Sequence, residues 1–175
     1  MIKINLKSSW ILNDFFLKTG QEKNQKKKER EVKKLFNNNK SYIFKMLKKI
    51  TKLDWKRDSL DIWIIGGTFP TSPFPNFLNV NESNNYLLFD IIYLLIHNLL
   101  IQNDFYSKLF KDEEYDNTKL EAIVFLLTKK ILEGILTKKE LIEIIEKTKK
   151  EGFNQYIWDE ANLLEKNNKY LSFFK

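Results

Sequence analysis

The segment from Tyr86 to Gln102 constrains this chain most. It reads YLLFDIIYLLIHNLLIQ, so apolar side chains occupy nearly every turn position, interrupted by Asp90, His97 and Asn98. A helix that is apolar all round has to be covered on most of its sides. The uninterrupted apolar character is too short for the roughly 20 residues that a bilayer span needs, so the segment is expected to be a core helix and no membrane is expected as a partner. The rest of the 175 residues has to supply the cover. A chain of about 150 residues buries roughly 70% of its unfolded surface, which is enough for one domain with a substantial core.

The covering elements can be read from their periodicities. Ile2, Ile4 and Leu6 alternate with Lys3, Asn5 and Lys7, the pattern of a short strand buried on one face. From Glu22 to Leu53 the period becomes helical, with Val32, Leu35, Phe36, Ile43, Met46, Leu47 and Ile50 forming one stripe. Asn37-Asn38-Asn39 interrupts it and predicts a kink or a split. Leu60 to Ile65 is the strongest strand, followed by Gly66-Gly67 and by a segment from Thr68 to Pro75 that holds all three prolines and is expected to be an extended loop. Phe77 to Val80 is a further short strand. Thr118 to Leu136 is a second helix, opening on the capping-box spacing Thr118…Glu121, and Thr137…Glu140 repeats that spacing before a third helix that ends near Gly152. Asn154 to Tyr170, with Trp158, Leu163 and Leu164, closes the chain as a helix. The expected class is α+β: a mainly helical single domain, residues 1–175, with a small sheet. Within it fall a basic helical region at about 22–53, a core at about 54–136 and C-terminal helices at 137–175.

Composition removes many functions. There is no Cys and one His, His97, which excludes thiolate metal sites, cysteine nucleophiles and any site built on two imidazoles. Nucleophile elbow, Walker loop, EF-hand and dinucleotide fingerprint are all missing. The acids Asp112, Glu113 and Glu114 cluster, but in a segment that reads as a solvated loop. Charge is uneven: residues 1–57 carry 17 Lys and Arg against 5 Asp and Glu, a balance of +12, whereas the whole chain stands at +7. The excess centres on Lys23, Lys26, Lys27, Lys28, Arg30, Lys33 and Lys34, a run able to neutralise phosphates. A solvated helix face explains the same run, and it has no interleaved aromatics. No secretory signal is read at Met1 to Phe16, and a cytoplasmic location is expected.

One constellation is more specific. An Ile-rich strand is followed by Gly-Gly and a Pro-containing loop, then by an apolar helix bearing His97, then by a helix bearing Glu121. Over about Lys40 to Leu136 this order resembles the zincin-like metallopeptidases of the small archaeal kind. That resemblance implies a His-Glu-x-x-His motif on the central helix and a third zinc ligand from the helix after it. Two His four residues apart share a helical face and reach one tetrahedral zinc, and the Glu between them activates the bound water. Here the five positions are Tyr93-Leu94-Leu95-Ile96-His97. Tyr93 stands where the first His would be, Leu94 where the catalytic Glu would be, and Glu121 where the third ligand is expected. The resemblance therefore implies a degenerate member: a vestigial site of Tyr93, Leu94, His97 and Glu121, no catalytic residue and no zinc. Its side chains are expected to hydrogen-bond to one another where an ion once sat, and the protein to act on an unidentified protein partner as a binding or regulatory module. Buried structural roles account for Tyr93 and His97 as well, and a capping box for Glu121. Two other functions compete: nucleic-acid binding through the basic helix, and a hydrolase with an atypical site near Gly66-Gly67-Thr68-Phe69-Pro70.

Overall fold

A computed structural model describes residues 2–8, 22–65, 71–73, 76–79, 83–106, 117–150 and 154–174. The Gly66–Pro70 loop, the acids at 112–114 and the side chain of Lys23 lie outside the described residues. The elements are β1 (Lys3–Ser8), α1 (Glu22–Thr51), β2 (Ser59–Ile65), β3 (Ser72–Pro73), β4 (Asn76–Asn79), α2 (Asn84–Gln102), α3 (Asn117–Leu132), α4 (Lys138–Lys149) and α5 (Asn154–Lys166), with a 3-10 turn at Lys169–Phe174. The mainly helical α+β class is what the structure has.

The sheet runs in the order β1-β2-β4-β3. β1, β2 and β4 are parallel, with Leu6 opposite Ile62 and Ile64 opposite Leu78. Parallel neighbours need a crossover, and α1 supplies it between β1 and β2. β3 is antiparallel to β4 at the edge. Ser72–Pro73 lies inside the stretch expected to be loop throughout; the two residues pair as an edge strand, where a proline's missing donor costs no ladder bond. Alternation decides which side of the sheet is covered. Leu60, Ile62 and Ile64 are buried, while Asn5 Nδ2 donates to Asp61 Oδ1 at 2.8 Å and Lys7 pairs with Asp61 at 2.5 Å on the other face. Those two partners, Lys7 first, hold the Asp61 carboxyl below the usual range.

α1 is one helix of 30 residues, without the kink or split expected at Asn37–Asn39. Phe36 and Ile43 are two turns apart, so the buried stripe stays in phase across the interruption. The cost of the asparagines is only their weaker helix propensity, and Asn39 Nδ2 bonds the Leu35 carbonyl at 2.9 Å.

α2 is the centre. From Tyr86 to Leu100 every residue but Tyr93 is buried. It is long and apolar enough to span a membrane by length and composition, yet 78% of that stretch is buried within the protein, as in a core helix. Ser83 caps its start, accepting from the Tyr86 N–H at 3.4 Å. One continuous core joins Ile2, α1, β2, β4 and α2 to Ile123, Leu127 and Ile131 of α3, Ile144 of α4 and Trp158 of α5.

α3 ends at Leu132, short of the expected Leu136. Gly134 sits in the turn beyond, where a Cβ would overlap the Tyr42 side chain of α1, so a residue without one lets the two elements close together. The second capping box forms: Thr137 N–H donates to Glu140 Oε2 at 2.9 Å and Thr137 Oγ1 accepts from the Glu140 N–H at 3.4 Å. At the first, α3 begins at Asn117, which places Thr118 inside the helix rather than at its N-cap.

Candidate functional site

α2 presents two unlike stripes. Asp90, Asn98 and Gln102 lie toward the sheet and its connections. Asp90 Oδ2 accepts from Thr71 Oγ1 at 2.7 Å, and Thr71 Oγ1 accepts from the Asn79 N–H at 3.1 Å. Asn98 Nδ2 donates to Asn76 Oδ1 at 2.7 Å and to the Leu94 carbonyl at 2.8 Å. Gln102 Oε1 accepts from the N–H groups of Lys56 and Arg57, both at 3.1 Å, and so fixes the chain entering β2. These polar groups secure backbone.

The other stripe, Phe89, Tyr93 and His97, faces α3. Phe89 and Tyr93 both meet Phe125 edge-on, with centroids at 5.6 and 5.8 Å, and Phe125 lies against Trp158 of α5 at 5.1 Å. Such ring pairs add about 0.5–1.5 kcal/mol each beyond their buried area. Tyr93 and His97, one turn apart, stand edge to face at 4.4 Å.

Glu121 of α3 closes the group. Its Oε2 accepts from the Tyr93 hydroxyl at 3.1 Å, and its Oε1 lies 3.4 Å from His97 Nε2. That second separation suits an ion pair, but the direction does not suit an N–H···O bond, and Nε2 has no hydrogen-bond partner among the described residues. His97 is 1% exposed and Glu121 28%, so the imidazole is sealed while the carboxylate reaches the surface. On the far side Tyr106 Oη makes a short contact with His97 Nδ1. Tyr106 was not among the residues singled out from sequence. It follows a turn in which Asp104 adopts φ 61, and that turn folds the chain back onto α2.

The electrostatics assign the protons. Burial first, then the charge and hydrogen bond of Glu121, pushes the Tyr93 phenol well above its ordinary value near 10. Burial and the Glu121 charge push Tyr106 up as well. Both phenols are therefore protonated at neutral pH. Nδ1 of His97 meets the Tyr106 hydroxyl, and Nε2 is the ring nitrogen that faces Glu121.

The structure thus brings Tyr93, His97 and Glu121 together, and adds Tyr106. It does not bring in Leu94, which packs in the core. Nor does this set fit zinc. A catalytic zinc takes three protein ligands and leaves one open position; here one imidazole and one carboxylate are available, and the third group is a phenol held in its protonated form and committed to Glu121. No group of three His, Cys, Asp or Glu side chains among the described residues is arranged to hold a metal. Leu94 has no proton to exchange.

The basic run divides in the structure. Lys26, Lys27, Arg30, Lys33 and Lys34 are exposed on α1, whereas Lys28 is half-buried and pairs with Glu31 at 3.5 Å. Comparison of the chain with family models, with curated proteins and with solved structures finds no match.

Proposed function

We propose that this chain is a non-catalytic, zincin-like protein that has kept a peptidase scaffold and works as a binding or regulatory module through its surface. The supporting observation is the meeting of His97 on the central helix with Glu121 on the next helix, 3.4 Å apart, while Tyr93 occupies the first-ligand position and hydrogen-bonds Glu121. The phenol stands against the imidazole and donates a hydrogen bond to the carboxylate. A buried core helix and a chain without cysteine suit a cytoplasmic location.

The test is to reverse the change. Tyr93→His restores a set of three ligands with His97 and Glu121, and Leu94→Glu adds the base. The purified parent is expected to hold no stoichiometric zinc and to hydrolyse no peptide. Tyr93→His, alone or with Leu94→Glu, is expected to take up one zinc per chain, and Glu121→Gln in that background to lose it. Leu94 is buried, so the single variant carries the test if the double variant does not fold. Zinc bound by the parent through His97, or no uptake by a folded Tyr93→His, overturns the proposal.

A further inference from the structure

We infer that the outward face of α1 is a binding surface for the phosphate backbone of double-stranded nucleic acid. This is independent of how the buried His97 site is read.

The orientation of α1 is set by Val32, Phe36, Ile43, Phe44 and Leu47, all buried against the core. What remains outward, apart from the ion-paired Lys48, is Lys26, Lys27, Arg30, Lys33 and Lys34, then Asn37, Asn38 and Ser41, then Lys45 and Lys49. A helix of 30 residues is about 45 Å long, so the cations form a long ridge with neutral donors at its middle. None of these seven cations has an acid within ion-pair reach among the described residues. By contrast, Lys28 is matched by Glu31 and Lys48 by Asp54 at 2.5 Å. Unmatched Lys and Arg on one ridge release counterions when they meet a polyphosphate, and this gain supplies sequence-independent affinity. Asn and Ser side chains also contact phosphate oxygens.

Three features separate duplex from other polyanions. None of the exposed large apolar side chains among the described residues, Ile142, Tyr156, Leu163 and Leu171, belongs to α1, so the helix itself has nothing to insert into a lipid surface. The described residues of α1 include no exposed aromatic ring on which an unpaired base could stack, which single-strand binders use. One Arg among six Lys favours point contacts with phosphate over bidentate reading of bases, so binding should be indifferent to sequence.

The experiment is fluorescence anisotropy of a labelled 20-base-pair duplex with the full chain, in two unrelated sequences, across a KCl series. Equal binding of both sequences is expected, with a slope of log K on log salt of about −4 to −6 for five to seven neutralised phosphates. Lys26→Glu/Lys27→Glu/Lys33→Glu/Lys34→Glu is expected to lose more than about a hundredfold in affinity near 0.1 M salt. The same four positions changed to Gln give the smaller, same-direction loss should charge reversal disturb folding. Lys138→Glu/Lys139→Glu, exposed on α4, is expected to bind like the parent. No binding at low salt, a slope shallower than about −2, an equal loss in the α4 control, or tighter binding to phosphatidylserine vesicles or to the single strand overturns the inference.

Discussion

The two stripes of α2 solve the same problem differently. Both put polar groups into the centre of an apolar protein. On the sheet side Asn98 and Asp90 find close partners, and Gln102 Oε1 accepts twice from one turn of backbone. On the helix side the groups are titratable and meet each other rather than backbone; among the described residues each side leaves one buried nitrogen without a hydrogen bond, Gln102 Nε2 on the first and His97 Nε2 on the second. Buried polar groups in proteins are normally satisfied. The first arrangement is what a fold needs to hold a loop and a strand in register. The second joins an imidazole, two phenols and a carboxylate to one another, and of these only His97 is fully buried.

Mutations can break the contrast. The largest effect is expected on the sheet side: Asn98→Leu removes both bonds of a buried amide, to Asn76 and to the Leu94 carbonyl, and should cost about 2 kcal/mol. His97→Phe should cost about 1 kcal/mol or less, because Glu121, partly exposed, can hydrate once the imidazole is gone. Urea unfolding of the two variants decides this; equal losses would make the two stripes alike.

A smaller effect sharpens the helix side. The folded state holds Tyr93 and Tyr106 above their ordinary value near 10. A raised pKa stabilises the fold at pH below that ordinary value and the gain is lost as pH climbs above it. The parent should therefore weaken above about pH 10, and tyrosinate absorbance from these two rings should appear late. Glu121→Gln removes one cause of the shift but not burial, so the onset should move to lower pH and the alkaline weakening should become shallower.

The smallest effect is a control outside both stripes. Glu165 of α5 faces Lys129 at 2.6 Å and also contacts Lys130. Burial opposes its ionisation, but the two lysines prevail and its pKa is lowered. Its contribution is present above the unfolded value near 4.5 and fades as pH falls below it. Glu165→Gln should thus narrow the stability gap between neutral and acid pH in thermal melts, by less than about 1 kcal/mol for a pair this exposed, and leave the alkaline behaviour unchanged.

Much of the frame was legible. The alternation of Ile2, Ile4 and Leu6 marks β1, the apolar density of Tyr86–Gln102 marks the central helix, and Thr137…Glu140 is a cap in fact as in pattern. Where reading failed, a longer-range interaction had won. The asparagines of α1 look like a break locally, but a stripe kept in phase by core packing carries the helix through them. Thr118…Glu121 has the spacing of a cap, yet α3 starts earlier and Glu121 turns to α2. Tyr93, His97 and Glu121 can be grouped from helix spacing and element order. Tyr106 cannot, because its place depends on one left-handed residue, Asp104, and periodicity has no means of expressing that.

The pairing of β1 with β2 carries a kinetic consequence. Lys3 lies opposite Ser59, so this edge pairing joins residues far apart along the chain and gains nothing until the intervening helix has formed. Loop closure of that size must be met before the first ladder bond returns anything. The helices, built from neighbours in sequence, are therefore expected to assemble early, with β1 the last strand to be zipped into place.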